Sequence, residues 1–437
     1  MSALTRRQLL AMGRDVGAGL ALLPLAGCHP RVNATSSRVV LPGLSPLGEG
    51  SLKAHALNAN LLSGCAVDVH ALRSDERYRG LITEQCSIIS PENAMKWEAL
   101  RPAPDVFEFA DADYLMDFAE KNDIKLRGHN LVWHRALPKW FADNVFKSNA
   151  KQVLTDHINT VAGRYAGRIH SWDVVNEAID VNDQRLDGLR KTVWLELIGE
   201  DYIEIAFRAA RQADHSALLT YNEYGIEMDN YASDQKRSQV LLLLRRLKAR
   251  NVPLDAVGIQ SHLPAEALET SRSYAGVANF IAQVRAMGLQ VFITEMDVSD
   301  AAIQGDERMR NRAVAATYSD YLHTVLADPA VKAVLTWGIS GRHTWLNSEQ
   351  PRADHSALQP LPFDADYRTL PAFFAMREAY DGRLASLKST PATAADPYAA
   401  FTPRMKPPDA PKTLPDAGKP VPAPASTLPS IPAPQKN

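Results

Sequence analysis

Two glutamates, Glu177 and Glu295, each lie within two residues of the end of a short run of β-branched and apolar residues. Hydrolysis of a glycosidic bond requires a carboxyl group on either side of it, because one must be protonated to assist the leaving oxygen and the other ionised to attack or to activate water. Mutual repulsion and partial burial separate the pKa values of such a pair into those two roles. A lone glutamate is usually solvated or salt-bridged, but polar neighbours accompany both glutamates here.

Metal catalysis is the competing chemistry, because His129 lies near the end of a similar run and His134 and His262 lie just after such runs. The sequence has no H-E-x-x-H motif and no compact His/Asp cluster with ligand spacing, so we expect neither a metal nor another cofactor. Histidines that hydrogen-bond sugar hydroxyls or orient a carboxylate fit better. Apolar sugar faces also pack on indole rings, although core packing is the alternative for every tryptophan and is expected for Trp172. The tryptophans concerned are Trp97, Trp133, Trp172, Trp337 and Trp345.

Eight β-type runs alternate with longer amphipathic stretches. The runs are residues 61–67, 86–90, 124–132, 169–175, 217–221, 256–260, 290–294 and 333–337, and the helical stretches include 149–165, 192–213, 231–250 and 308–326. This alternation predicts parallel pairing and an α/β fold, a single (β/α)8 TIM barrel. An open doubly wound sheet is the alternative, but no G-x-G-x-x-G follows the first run.

Polar or aromatic residues follow nearly every run, which favours the barrel because barrel enzymes build their sites at the carboxyl ends of the strands. Examples are Glu92 and Asn93 after the second run and Asn222 after the fifth. We expect the fourth and seventh strands on opposite sides of the barrel, so that Glu177 and Glu295 face each other across its mouth.

The composition excludes several classes of protein. The chain has 437 residues, a net charge of −2 and three cysteines. The near-neutral charge argues against a nucleic-acid binder, and three cysteines exclude both a disulfide-stapled mini-scaffold and a four-thiolate zinc site. We expect a monomer.

Both ends of the chain differ from its middle. Residues 1–28 resemble a twin-arginine export signal around Arg6 and Arg7, and they end at Cys28 in Leu-Ala-Gly-Cys, which resembles a lipoprotein lipobox. The expected location is the periplasm or the cell envelope, with lipidation at Cys28; an ordinary signal peptide with a chance cysteine is the alternative. Residues 29–50 are expected to be a linker and residues 51–387 the catalytic domain. Residues 388–437 carry 13 prolines and are expected to be a disordered Pro-rich tail, with a spacer as the alternative.

Four motifs together closely resemble glycoside hydrolase family 10, the retaining endo-β-1,4-xylanases. The family blocks ITPENAMKW, GHTLVWH, WDVVNEA and ITEMDV are matched by residues 89–97, 128–134, 172–178 and 293–298, in the family's order. The resemblance covers about residues 60 to 382 and implies a (β/α)8 barrel that hydrolyses xylan without a cofactor.

The resemblance also implies a role for each site residue. Glu177 becomes the acid/base and Glu295 the nucleophile, with the carboxyls about 5–5.5 Å apart as retention requires, and His262 and Asp297 orient Glu295. The implied substrate-binding residues are Glu92, Asn93, Lys96, His129, Trp133, Asn176, Tyr224, Gln260, Trp337 and Trp345. Within this set Asn176 holds the sugar 2-hydroxyl, the first three bind the next sugar on the non-reducing side and favour xylose, and Tyr224 stacks on the leaving-group side.

Two positions depart from the family pattern. The family's W-G-x-x-D-x-x-S-W has Gly341 in place of its aspartate, and a lysine expected before Pro371 is Leu370. We expect Gly341 to alter the loop rather than the two glutamates. Cys65 and Cys86 lie on the first two strands, and whether they form a disulfide stays open.

The leading expectation is therefore an exported retaining endo-β-1,4-xylanase. A barrel glycosidase acting on β-glucan or short xylo-oligosaccharides is the alternative within enzymes. The alternative outside enzymes is an inactive barrel that binds xylan at the cell surface. Such a binding protein would not need paired carboxylates.

Overall fold

The structure, a computed structural model, describes residues 45–266 and 273–389. The predicted export signal, its lipidation site Cys28 and the predicted tail from residue 390 onward lie outside the described residues. The chain divides after Ala385, and the barrel belongs to the first of the two units. None of the helices in the described ranges is both long and apolar enough to cross a membrane.

Eight parallel strands close into a barrel, which confirms the predicted fold class. The strands in chain order are β1 Leu62–Val67, β2 Ile88–Pro91, β3 Lys125–Val132, β4 Ser171–Asn176, β5 Leu218–Glu223, β6 Ala256–Ile259, the short β7 His262–Pro264, β8 Gln290–Ser299 and β9 Val331–Thr336. The barrel order is β1-β2-β3-β4-β5-β6-β8-β9, closed because β1 also pairs with β9 and β6 pairs with β8. Strand β7 pairs with the end of β8 alone.

Helices follow the strands around the outside of the barrel. Their bounds are Leu52–Asn58, Val69–Ser74, Glu76–Gln85, Trp97–Leu100, Ala110–Lys121, Trp140–Asn144, Ala150–Arg164, Val193–Ile198, Tyr202–Ala213, Tyr231–Ala249, Ala275–Ala286, Glu307–Val325, Leu346–Glu349 and Pro371–Ser389, with 3-10 turns at Gly48–Gly50 and Val181–Asp183. The stretch predicted as one helix over 192–213 is two helices, because Gly199 adopts φ 88° at the break.

The alternation of side chains along the strands divides the interior into an outer core and a lumen. Val291 and Ile293 of β8 pack outward against the helices, whereas Phe292 between them points into the lumen. A small apolar layer fills the lumen there, formed by Ile88, Ala256, Phe292, Ala333 and Leu335. This packed layer is the floor on which the polar residues of the mouth stand.

The predicted placement of the two glutamates on opposite sides of the barrel is wrong by one strand. Opposite strands of an eight-strand barrel stand four positions apart, whereas β4 and β8 stand three apart, with β5 and β6 between them. Strand β8 also extends past residue 294, so Glu295 lies within it. Glu177 and Glu295 therefore share one arc of the mouth, which the ends of β5 and β6 span.

The remaining predicted features lie near the amino-terminal strands. The thiols of Cys65 and Cys86 are buried and free, with their sulfur atoms 3.7 Å apart. Residues 45–50, predicted to end a linker, lie against the helix Glu76–Gln85, where Gln85 donates to the carbonyl of Pro46 at 2.7 Å.

Candidate active site

Glu177 is the first residue after β4, and its backbone is left-handed, with φ 59°. Such a conformation is uncommon for a residue with a side chain and often occurs at functional sites. The backbone N–H of Glu177 donates to the carbonyl of Asn222 at 2.9 Å, which anchors the turn to β5. The half-buried carboxylate accepts hydrogen bonds at Oε1 from Gln260 at 3.1 Å and from Asn176 at 3.2 Å.

Glu295 lies in a drier environment, with only 5% of its surface exposed. Its Oε1 accepts a hydrogen bond from Asn222 at 2.7 Å, and its Oε2 accepts one from His262 Nε2 at 3.3 Å. Burial alone raises the pKa of a carboxyl group, but the donors around Glu295 outweigh it and hold its pKa below the ordinary value. Glu295 is therefore an ionised carboxylate in a desolvated pocket.

His262 and Asp297 are register partners where β7 pairs with β8, so they lie side by side, two positions beyond Glu295 toward the carboxyl end of β8. His262 Nδ1 donates to Asp297 Oδ1 at 2.9 Å, and Trp345 Nε1 donates to Asp297 Oδ2 at 2.8 Å. Burial lowers the pKa of His262, but Asp297 and Glu295 on its two sides outweigh burial and raise it well above the ordinary value. His262 is thus a cation held between two carboxylates.

Asn222 joins the two halves of the site, although the sequence indicated no role for it. Its side-chain nitrogen donates to Asn176 Oδ1 at 2.9 Å as well as to Glu295, and its side-chain Oδ1 accepts from the hydroxyl of Thr294 at 2.8 Å. Gln260 extends the same network by donating to Asn176 at 3.3 Å. An asparagine at the carboxyl end of a barrel strand was the available signal for Asn222.

A buried ionic layer lies between the apolar floor and the site. The guanidinium of Arg127 stacks over Phe292 at 5.3 Å and pairs with Asp173. Asp173 also accepts a 2.9 Å hydrogen bond from His129 Nδ1, and Trp337 packs edge-on against His129 at 5.3 Å. Arg127 and His129 share one face of β3, so this strand carries the support and the site residue two positions apart.

The predicted cluster of Glu92, Asn93 and Lys96 lies beside two tryptophans. Lys96 Nζ donates to Asn93 Oδ1 at 2.8 Å and lies 5.3 Å from the Trp133 ring and 5.9 Å from the Trp337 ring. Burial raises the pKa of Glu92 to about 7, with a further contribution from Asp68. Burial also lowers the pKa of Lys96, against the opposing pull of Glu295, Glu92 and other carboxylates.

Tyr224 stands at the end of β5, with 37% of its surface exposed. The ammonium of Lys236 lies 3.7 Å from the centre of its ring, and its hydroxyl accepts a 2.9 Å hydrogen bond from Arg190. The sequence indicated neither of these cations, because neither lies at the end of a strand. Arg190 is in the loop before the helix Val193–Ile198, and Lys236 is on the helix Tyr231–Ala249.

Two of the five tryptophans considered for the sugar site lie in the core rather than at the mouth. Trp172 is fully buried, as expected, and Gly128 leaves room for its ring. Trp97, considered for the sugar site, is 1% exposed, stacks on His157 at 3.6 Å and donates to the carbonyl of Leu131. His134 is half-buried, and burial lowers its pKa to about 4.

Within residues 45–266 and 273–389, no three His, Cys, Asp or Glu side chains gather as metal ligands. The arrangement instead offers acid–base and nucleophilic chemistry by two carboxyl groups, an ionised and buried Glu295 and a half-buried Glu177 linked through amides.

Comparison with known proteins assigns the chain to a family. Glycosyl hydrolase family 10 matches residues 51–379. Endo-1,4-beta-xylanase B of Thermotoga neapolitana is 31% identical over 332 residues, which are 76% of this chain and 91% of that protein. Endo-1,4-beta-xylanase 3 of Hypocrea jecorina is 32% identical over 72% of this chain and 80% of its own length.

Solved structures agree with this assignment. Native xylanase 10B of Thermotoga maritima superimposes with a TM-score of 0.69 at 33% identity, covering 77% of this chain and 99% of its own. Xylanase 10B of Thermotoga petrophila in complex with xylobiose gives the same TM-score and identity, covering 76% and 98%. With its closed barrel and paired glutamates, the chain belongs to glycosyl hydrolase family 10 and is a glycoside hydrolase.

Proposed function

We propose that the protein is a retaining endo-β-1,4-xylanase that cleaves internal bonds of xylan by double displacement. The observation that carries this proposal is the difference between the two carboxyl groups. Glu295 is buried, ionised and hydrogen-bonded by Asn222 and His262, as a nucleophile needs to be, whereas Glu177 is half-buried and accepts hydrogen bonds from Gln260 and Asn176. The names of the relatives supply the substrate class.

In the first step, Glu295 attacks the anomeric carbon and the bond from that carbon to the leaving oxygen breaks. The proton of the Glu177 carboxyl passes to the leaving oxygen, so a sugar hydroxyl departs and a glycosyl ester remains on Glu295. In the second step, Glu177, now ionised, takes a proton from water. The resulting hydroxide replaces Glu295 at the anomeric carbon, and both groups return to their initial states.

The surrounding side chains place the sugar for this chemistry. Asn176 lies between the two glutamates, where its amide can hold the 2-hydroxyl of the sugar that reacts. Its Oδ1 is already occupied by donors from Asn222 and Gln260, which fixes the direction of its NH2 group toward Glu177. The resemblance assigns the neighbouring sugar to Glu92, Asn93 and Lys96. Trp337 lies 5.9 Å from Lys96 Nζ, and Trp345 donates to Asp297.

Activity assays on polymers test the substrate class. Purified residues 29–437 are incubated with xylan, carboxymethyl cellulose and mannan, and reducing ends are measured. We expect release from xylan alone. Release from carboxymethyl cellulose at a similar rate would favour a β-glucanase, and folded protein silent on polymers but active on xylotriose would favour an oligosaccharide hydrolase.

Chemical rescue tests the nucleophile. Glu295→Ala should abolish turnover of an aryl xylobioside, and added azide should restore it with the α-glycosyl azide as product. Wild-type enzyme should release the β-anomer first, as followed by proton NMR. Wild-type activity in Glu295→Ala, or first release of the α-anomer, would contradict double displacement, and a folded protein that binds xylan without cleaving it would be a surface binder.

We also propose that the protein is exported and lipidated at Cys28. The support is the sequence alone, with paired arginines followed by an apolar stretch that ends in Leu-Ala-Gly-Cys. Incorporation of labelled palmitate by the wild-type chain, and its loss in Cys28→Ser, is the expected result. Equal labelling of both would contradict this anchor.

A further inference from the structure

Arg190 lies in the loop between β4 and the helix Val193–Ile198, and its guanidinium donates four hydrogen bonds, the longest of them from Nη2 to the carbonyl of Ile179 at 3.4 Å. Its Nε donates to the backbone carbonyl of Glu177 at 2.9 Å, its Nη1 to Asp180 Oδ2 at 2.7 Å, and its Nη2 to the hydroxyl of Tyr224 at 2.9 Å. Only 11% of the side chain is exposed. A planar guanidinium with fixed donors sets the relative position of the groups it binds.

The ring of Tyr224 is also held by a second cation. Lys236 on the helix Tyr231–Ala249 lies 3.7 Å from the ring centre, within cation–π range. Lys236 is itself fixed by a 2.8 Å ion pair with the fully buried Glu223, the residue that precedes Tyr224. The ring is therefore held at its hydroxyl by Arg190 and at its π-system by Lys236, while more than a third of the residue stays exposed.

The two ends of Arg190 belong to different parts of the reaction. Glu177 gives its proton to the leaving oxygen, and Tyr224 is the stacking surface for the sugar that leaves. The turn at Glu177 has a left-handed backbone, so the direction of its side chain depends on what holds the carbonyl and amide on either side of it. Arg190 holds the carbonyl, and Asn222 holds the amide.

We propose that Arg190 is a positioning residue that fixes the leaving-group platform Tyr224 relative to the acid/base Glu177. It neither gives nor takes a proton; the proton moves from Glu177 to the leaving oxygen as described above. A sugar stacked on Tyr224 is thereby placed with its glycosidic oxygen in reach of the Glu177 proton. This inference rests on the proposed function, because it takes the roles of Glu177 and Tyr224 from it.

The test compares two substrates. One depends on both the Glu177 proton and stacking on Tyr224, and the other depends much less on either. Xylotetraose has a sugar leaving group that must be protonated and stacked, whereas 4-nitrophenyl xylobioside has a leaving group that departs with little acid assistance. For Arg190→Met we expect kcat on xylotetraose to fall about 10- to 100-fold, the range for loss of a hydrogen bond to a charged group. On the aryl substrate we expect a change of less than about 3-fold.

Two further variants sharpen the test. Arg185→Met is the matched control, because Arg185 lies in the same loop and its guanidinium pairs with Asp187 at the surface; it should behave as wild type on both substrates. Tyr224→Phe removes only the hydroxyl that Arg190 holds and should lower kcat on xylotetraose selectively. Added to Arg190→Met, it should cost less than it does alone, since both changes break one contact.

The outcomes separate this inference from the proposed function. Wild-type enzyme inactive on both substrates would overturn the proposed function. Active wild type together with an Arg190→Met variant that is unaffected, or equally slowed on both substrates, would overturn the role of Arg190. If Arg190→Met does not fold, Tyr224→Phe decides, because an unchanged kcat on xylotetraose would contradict the proposal.

Discussion

Asn222 donates a 2.7 Å hydrogen bond to Glu295 from a strand that is not adjacent to β8, reaching past β6 to the nucleophile position. The same amide donates to Asn176, so a single side chain fixes the spacing between the residue that attacks and the residue that holds the sugar. This link requires β4 and β8 to lie on one arc of the mouth, as they do.

Replacing this amide with a carboxylate tests the link. In Asn222→Asp the donor to Glu295 is lost and a like charge is added, so the pKa of Glu295 rises and kcat/KM falls by about 100-fold or more. The acidic limb of the pH–rate profile should move to higher pH. The control is Asn182→Asp on the exposed loop after β4, which should leave the profile unchanged; an unshifted limb in Asn222→Asp would contradict the link.

Removal of the acid should show its dependence on the leaving group. Glu177→Ala cannot protonate the departing oxygen, so we expect kcat on xylotetraose to fall by about 100- to 10,000-fold, the usual worth of general acid catalysis. Formation of the glycosyl-enzyme from 4-nitrophenyl xylobioside should change far less and show as a burst of nitrophenol. Equal losses on both substrates would mean that Glu177 is not the acid.

Glu92 makes the stability of the protein depend on pH. Its pKa is about 7 in the folded protein, whereas the ordinary value is 4.5. Between these values the folded state keeps a proton that the unfolded chain releases, so the free energy of unfolding falls as pH rises through this window. The loss is up to about 3 kcal/mol, since one pKa unit corresponds to about 1.4 kcal/mol.

Urea unfolding of wild type and Glu92→Gln from pH 4 to 8 measures this effect. The amide does not titrate, so Glu92→Gln should gain stability relative to wild type as pH rises and level off above pH 7. Parallel curves for the two proteins would contradict the shifted pKa.

Lys236 has a structural effect that can be separated from its contact with Tyr224. Lys236→Met leaves the buried carboxylate of Glu223 without its cation, which costs about 3–5 kcal/mol for a buried pair broken on one side. Lys248→Met on the exposed side of the same helix is the control and should change stability by less than about 0.5 kcal/mol. Similar unfolding midpoints for the two variants would show that the pair is solvated.

Gly341, where the family pattern has an aspartate, lies in the loop after β9, and replacing it with alanine tests whether this loop requires glycine. A Cβ built at Gly341 lies 3.4 Å from the carbonyl of Leu358 and 3.5 Å from Gln359 Oε1, which are ordinary contacts, and the backbone is not left-handed. Gly341→Ala should therefore stabilise the protein by about 0.4–1 kcal/mol through the unfolded chain, with unchanged kcat. A lower melting temperature would show that the loop needs glycine here.

The strands could be predicted because each is a local run of apolar residues. All eight predicted runs overlap the observed barrel strands, and the polar residues at their ends lie at the mouth. The hydrogen bond from Asn222 to Glu295 and the contacts of Arg190 could not be predicted. They join residues that are distant in sequence, and they depend on the order of the strands in the barrel. The burial of individual side chains could not be predicted either. Trp97 follows a predicted strand, as the site residues do, yet it packs on His157 in the core.

The barrel closes only when its first and last strands meet. Strand β1 pairs with β9, and Tyr380 of the final helix lies with its hydroxyl 3.0 Å from the hydroxyl of Ser63 in β1. During synthesis, β1 therefore has an open edge until nearly all of the domain has left the ribosome, and such an edge is prone to pair with other chains. A chain that stops before β9 leaves a sheet with two exposed edges rather than a smaller barrel, so the nascent protein needs shielding from its neighbours until its last elements arrive.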